Sequence, residues 1–411
     1  MDGKKYVREA LIILLACTLA GCGSNSSTNN TPPPTGITKR VLISNTSTNT
    51  VNMLDAQKDK PATKTFGASA PTKMVTAGGK TIVLNSNAAE ISIIDNATEA
   101  VTFTPLLADL PFDIAITPDG KTAWVAVRNP GFVQAVDTAT GAVTHSVIVP
   151  SVSRLAMSPS GSKLLAFSDD PQNLPTNANS FFAIDTANPP ANGTPFAMTA
   201  GDQPITGVFG SSETQVFVLN CGAECGGTKA PSVVRVDLTG ATPNAAVTGT
   251  IKGATVGLLN TGKLFIAGTP VGSPTGTLQV IDTASLTAGP DIAITDGRHT
   301  IMSLASNNHL YIGASGCTPG PINAQNLVQG CLSIFNTGAA AGPGNPVLPL
   351  ESAFRQNFDV TAFQPISGRN VLYVCQGAEL DIFDITADAP AASIQQIDIV
   401  GKAYGVVQID P

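Results

Sequence analysis

A strand-level pattern recurs along almost the whole chain, and it constrains the fold more than any other feature. In PDGKTAWVAVRNPGFVQAVDTATGAVTHSVIV, residues 118–149, a tight turn leads into an apolar strand, then a strand ending in Asp, then a second turn and another strand. The Asp-terminated strand returns as MLD at 53–55, IID at 93–95, AVD at 135–137, AID at 183–185, RVD at 235–237, VID at 280–282 and IFD at 382–384, with IFN at 334–336 in the same place. A partner strand precedes each: VLISN from 41, TIVLN from 81, TAWVAV from 122, KLLAFS from 163, QVFVLN from 215, KLFIAG from 263, HLYIGA from 309 and VLYVCQ from 371. Ahead of these stands a mostly apolar inner strand, as in PFDIAITPDG from 111 and VSRLAMSPSG from 152, closed by a turn whose Gly supplies the positive φ of a tight hairpin. A fourth strand follows the Asp: VTHSVIV from 143, TPFAMTA from 194, AVTGTIK from 246 and SIQQIDIV from 393.

Four antiparallel strands repeated every 40–60 residues predict an all-β chain of propeller blades. One such sheet cannot cover its own apolar faces, so each must stack on its neighbours. Strands apolar on both faces are then expected in the middle of a blade. The recurring Asp reads as a cap on the turn after the third strand, accepting backbone N–H bonds. The first unit begins at VLISN without an inner strand, while AYGVVQID at 403–410 resembles an inner strand with nothing after it. Pairing the two closes the ring. The census gives eight blades, with seven the alternative if one irregular unit is only a decorated hairpin.

The N-terminus reads differently. Lys4, Lys5 and Arg8 precede the apolar run LIILLACTLA at 11–20, too short to span a hydrocarbon core, as expected of a signal peptide. The run ends in Leu19-Ala20-Gly21-Cys22, which resembles the lipobox of bacterial lipoproteins. That resemblance implies a signal peptide over 1–21, cleavage before Cys22, and acyl chains on its sulfur and new amine. Residues 22–37 then form the lipidated Cys and a polar, Pro-rich tether, and 38–411 the propeller domain. Gly23 stands where an inner-membrane retention signal would place Asp, which by the same resemblance implies the outer membrane, in an unspecified leaflet. Only 12% of residues are charged and the net charge is -7, so no basic surface for nucleic acid is expected.

The unit from 118 to 149 also resembles the repeat of YVTN-type propellers, relatives in form of the lactonase-like propellers. WVAVR at 124–128 takes the place of the name-giving tetrapeptide, and FVQAVDTATGAV matches the strand and turn after it. The likeness covers about residues 38–410 and implies architecture; the family includes surface, binding and enzymatic proteins.

Blades 4, 5 and 7 carry inserts between second and third strands, DDPQNLPTNANS at 169–180, CGAECGGTKAP at 221–231 and SGCTPGPINAQNLVQG at 315–330. In a propeller these connections open on one face, so they predict a loop-decorated binding rim, with Asp169, Asp170, Asn220, Asn323 and Asn326 as candidate contacts. Of the seven cysteines, Cys17 leaves with the signal and Cys22 is the lipid site. In an exported chain, Cys221 with Cys225 and Cys317 with Cys331 read as local disulfides closing two inserts. Zinc at the CxxxC element lacks a nearby His, and a Cys317–Cys375 pairing stays open; otherwise Cys375 is a buried thiol. His299 and His309 begin adjacent strands whose pairing could set them near one level, without a third ligand. No metal and no cofactor is expected.

The function expected from these residues is an envelope-anchored binding or scaffold module, more non-enzymatic than enzymatic, that recognises a protein or glycan through the decorated face. The alternative is a lactonase-like hydrolase or isomerase of a small molecule, using channel acids on the inner strands: Asp113, Asp202, Asp359 and Asp410.

Overall fold

The computed structural model describes residues 34–168, 179–242, 244–318, 327–338, 346–347, 350–352, 359–386 and 395–410. These residues form eight blades, each an antiparallel meander built outward from an inner strand. Blade 3 is the most regular, with strands Pro111–Ile116, Thr122–Val127, Phe132–Asp137 and Val143–Ile148. Ring closure follows the sequence reading. Ala403–Gln408 is the inner strand of blade 1 and pairs with Arg40–Asn45, matching Val41 to Gln408 and Asn45 to Ala403.

The core is a set of eight interfaces between neighbouring blades rather than one interior. Strand alternation divides each second strand between two of them. In blade 3, Trp124 and Ala126 pack with Leu164 and Phe182 of blade 4, while Ala123, Val125 and Val127 pack with Ile82 and Leu84 of blade 2. In blade 1, Val41 and Ile43 meet Tyr373 and Ile382 of blade 8, and Leu42 meets Val83 of blade 2. Each fully buried aliphatic or aromatic side chain contributes about 1.5–3 kcal/mol. A stack in which both sheet faces are covered therefore explains why these strands read as unbroken apolar runs.

All eight strand-ending acids or amides cap turns as expected. Asp55, Asp95, Asp137, Asp185, Asp237, Asp282, Asn336 and Asp384 each accept a backbone N–H two or three residues ahead, at 2.7–3.2 Å. Several are also paired across the sheet, Lys80 with Asp95, Lys163 with Asp185 and Lys263 with Asp282. The residue after the acid adds a contact that the sequence reading did not anticipate. Thr138, Thr186, Thr283 and Thr337 donate their hydroxyls to Gly120, Gly161, Gly262 and Asn308 carbonyls, so the two turns of a blade are clipped together.

Outer strands depart most from expectation. Around the run AVTGTIK of blade 5, strand pairing within its own sheet is limited to Ala245–Ala246, with one further bond from Val247 N to Val233 O. Beyond it, Thr248 N donates to Leu286 O and Ala288 N to Thr248 O, because this stretch bonds instead to blade 6. Blade 6 splits its outer strand into Thr287–Ala288 and Ile292–Ile294. Blade 7 carries an additional ribbon of Leu327–Gln329 with Leu350–Ser352. His299 and His309 are at opposite ends of their hairpin and do not share a level as expected, since His299 faces Ala314 and His309 faces Asn336.

In blades 2, 3 and 4 the turns between first and second strands pack on one another. Gly78 has φ +53° and touches the Asp119–Gly120 turn so closely that an added Cβ would lie 2.2 Å from the Asp119 carbonyl oxygen. Gly79 has φ +75° with open space around it. Gly78→Ala is therefore expected to cost about 2–4 kcal/mol and Gly79→Ala only about 1–2 kcal/mol, read as shifts in denaturant midpoint. Equal losses would remove inter-blade crowding as the cause.

Candidate functional site

Inner strands all begin on one face, because their first residues pair with the last residues of second strands: Pro111 with Val127, Pro204 with Asn220 and Arg298 with Ser315. The connections from second to third strands open on this entry face. Asp169, Asp170, Asn323 and Asn326 lie outside the described residues. Asn220 ends the second strand of blade 5 and is fully buried beneath the rim, its Nδ2 donating to Val218 O at 3.3 Å.

The blade 5 insert is described in full. Cys221 and Cys225 form a disulfide around the short 3-10 turn Gly222–Cys225. Asp202 braces this loop: one carboxylate oxygen accepts from Thr228 N at 2.6 Å and Lys229 N at 3.2 Å. Burial pushes the Asp202 carboxyl upward, but those N–H groups outweigh it and hold it below the ordinary range. The second disulfide joins Cys317 to Cys331, and Cys375 is free and fully buried, so the Cys317–Cys375 alternative falls away.

The loop places Glu224 in the wall of an entry-face chamber of about 450 Å³, lined also by Arg154, Gln203, Thr255, Thr269 and Arg298. A second cavity of about 740 Å³ runs down the channel and shares Arg154 and Arg298 with the chamber. Glu224 Oε1 accepts from Thr269 N at 2.7 Å. Its Oε2 is buried with no hydrogen-bond partner among the described residues. Burial pushes Glu224 up to about 7, with the Thr269 and Ala254 N–H groups acting in the opposite direction. Such a carboxyl is shared between its acid and base forms near neutral pH, the condition under which one group can both give and take a proton.

Behind this wall is His299, fully buried, its Nδ1 3.5 Å from the Thr269 hydroxyl, which donates to Gly297 O at 2.8 Å. Burial lowers His299 to about 4, so it is neutral at physiological pH. One residue, Thr269, thus touches Glu224 through its amide and His299 through its hydroxyl.

The four channel acids are not gathered into one set. Asp113 lines the channel but is engaged on all sides, by Lys73, Ile114 N at 2.9 Å and Leu155 N at 2.8 Å. Asp202 braces the loop, and Asp359 accepts from Gly316 N at 2.5 Å. Asp410 lies on the opposite face, gripped by Arg40. Sequence reasoning missed Glu224 although it singled out the insert. The available signal was the only acid of a disulfide loop, CGAEC.

No family model matches this sequence, and no curated protein matches it. Solved structures do resemble the fold. A dihydro-heme d1 dehydrogenase, NirN, in complex with DHE is 13% identical, with a TM-score of 0.68 over 92% of this chain and 77% of that one. AztD from Citrobacter koseri is 11% identical, with a TM-score of 0.60 over 90% and 97%. A computationally designed protein, Ika8, is 12% identical, with a TM-score of 0.55 over 83% and 93%. At these identities the likeness is one of fold alone.

Proposed function

We propose that the chain binds a small molecule in the entry-face chamber and acts on it by proton transfer, as a hydrolase or isomerase, with Glu224 as the general acid and base. The observation that carries this reading is Glu224 itself: a carboxyl with one oxygen fixed by Thr269 N and its proton affinity raised by burial into the neutral range, in the wall of a chamber of about 450 Å³. Chambers of this size suit compact ligands. Binding of an envelope protein or glycan on the same rim is the second reading, favoured by the two disulfides that stiffen loops of that face. In either case Cys22 would carry the acyl chains that tether the body to the outer membrane.

Turnover of a panel of small lactones, esters and enolisable ketones tests the first reading. Glu224→Gln is expected to lower kcat/KM by about 10²–10⁴-fold on whichever substrate responds. Turnover unchanged by this substitution would sink the assignment. A stability measurement checks the environment independently. The folded-state pKa of Glu224 lies above its ordinary value, so the folded chain holds the proton that the unfolded chain releases between about 4.5 and 7. Stability from this group is present below the lower value and lost as pH rises through the upper. The stability of Glu224→Gln relative to the parent should therefore increase from pH 5 to pH 8; a flat difference would mean a solvated carboxyl.

A further inference from the structure

The two disulfides of the entry face are built differently. Cys317–Cys331 joins residues 14 positions apart and closes the blade 7 insert. Cys221–Cys225 joins residues 4 positions apart, and both of its cysteines line the chamber. The shorter bridge is also asymmetric. Cys221 is fully buried in the apolar cluster between blades 5 and 6, whereas Cys225 is half-buried at the edge of that cluster. A thiol entering the chamber therefore meets one sulfur, that of Cys225.

The loop does not need the bridge to keep its path. Cys221 N donates to Gln203 O at 3.0 Å, Gly222 N to Asp202 O at 3.0 Å and Ala223 N to Lys229 O at 2.9 Å. The Asp202 carboxylate accepts from Thr228 N and Lys229 N on the far side of the loop. Gly222 has φ +54°, and an added Cβ there would lie 2.3 Å from Lys229 O, so the chain crosses itself at backbone contact. A loop pinned in this way keeps its two cysteines facing each other whether or not they are bonded. The buried end also has an acceptor ready for a thiol proton. Cys221 Sγ is 3.4 Å from Gln203 O, within reach of an S–H donor, although the bridged sulfur has no hydrogen to give.

We propose that Cys221–Cys225 is a thiol–disulfide exchange site that takes two electrons from a small dithiol admitted to the chamber. As a staple the bridge would add little, because closing so short a loop removes less freedom from the unfolded chain than closing a long one, and the folded loop is already held by its backbone. The exchange runs in two steps. One sulfur of the dithiol, as thiolate, attacks Cys225 Sγ and forms a mixed disulfide. The electron pair of the broken S–S bond leaves on Cys221 Sγ, which takes up a proton from solvent and directs it to Gln203 O; burial favours that neutral thiol over a thiolate. The second thiol of the reagent then attacks its own bound sulfur, closes into a cyclic disulfide and releases Cys225, which is protonated in turn. The protein gains two electrons and two protons, and the dithiol loses them. This activity goes beyond the proton-transfer reading and uses neither oxygen of Glu224.

The test is treatment of the full chain, both disulfides formed, with dithiothreitol at neutral pH, followed by alkylation, peptide mapping and circular dichroism of the same samples. Cys221 and Cys225 should become alkylated while the circular dichroism stays that of the untreated protein, and oxidised glutathione should then restore the bridge. Single substitutions identify the attacked sulfur. Cys221→Ser should capture glutathione at Cys225 about tenfold or more faster than Cys225→Ser captures it at Cys221, because exchange follows access to the sulfur. A bridge that yields only as the fold is lost, or a reduced pair that oxidised glutathione does not re-form, would overturn the proposal. So would folded variants that capture glutathione equally fast at either sulfur. The mapping of the unsubstituted chain stays decisive if either variant misfolds. The two activities fail separately. If turnover depends on Glu224 while the bridge resists the dithiol, only the exchange site falls; if exchange proceeds while Glu224→Gln leaves turnover unchanged, only the acid–base reading falls.

Discussion

Ending the chain at Gly401 is expected to abolish cooperative unfolding, although only ten residues are lost. Those residues include the whole inner strand of blade 1, Ala403–Gln408, and the acid that grips Arg40. Without them Arg40–Asn45 has an open edge in the middle of the ring, and the interfaces of blade 1 with blades 8 and 2 lose Ala403, Val406 and Val407. Five or so ladder bonds at about 0.5–1.5 kcal/mol each, together with three apolar side chains, amount to about 5–10 kcal/mol. That is as large as the net stability of many domains. The effect would not stop at one blade, because every interface depends on the ring being closed. A circular permutant separates topology from mere loss of residues. Ile409 N donates to Arg40 O at 3.1 Å, so the C-terminal strand can be joined through a short turn to the residues before Arg40, with new termini opened near Gly401. The permutant should recover a single thermal transition. Cooperative melting of the truncated chain, or failure of a soluble permutant to melt cooperatively, would show that closure by this strand is not what holds the ring.

How much of this was legible in the sequence follows from where the information is local. The Asp at each strand end and the Gly of each tight turn act within a few residues of themselves, so eight blades could be counted from MLD, IID, AVD and their counterparts. Ring closure was legible because the chain begins one strand short and ends one strand over. The two disulfides needed only short loops and an exported context. Outer strands were poorly legible because their partners are chosen by neighbouring blades: Thr248 leaves its own sheet to bond with Leu286, thirty-eight residues away. The site was less legible still. Asp113 and Asp359 look like channel acids in sequence, but Lys73 and Gly316 N take up their carboxylates. Glu224 looks like an ordinary surface acid in a Gly-rich loop. What distinguishes it is burial against Thr269 and Ala254, an environment assembled from residues thirty and forty-five positions distant.

A second large effect is expected at the seam where chain ends meet. Arg40 donates Nε and Nη2 to the two oxygens of Asp410 at 2.8 and 2.6 Å, and Nη1 to Asn96 O at 2.5 Å and Glu99 Oε1 at 3.0 Å. Glu99 is 1% exposed and also accepts from Thr35 N and the Thr35 hydroxyl at 2.7 and 2.8 Å. One guanidinium therefore joins the first described residues, blade 2 and the closing strand. Arg40→Leu leaves a buried carboxylate without its cation and should cost about 3–5 kcal/mol at pH 7. Arg40→Lys should recover part of that, since it restores charge but not the paired donors. The pH dependence gives the sign. Burial alone would raise the Glu99 pKa; the Thr35 donors and Arg40 outweigh it and hold the group below its ordinary value. In the parent, that stability is present above the unfolded pKa of about 4.5 and is lost as pH falls through the lower folded value. In Arg40→Leu burial is less opposed, Glu99 accepts a proton more readily, and acid relieves the buried charge. The stability gap between parent and variant should thus narrow from pH 7 to pH 4, measured by denaturant unfolding at each pH. A gap that stays constant would place the cost in lost side-chain packing and would remove the ion cluster as the clasp of the ring.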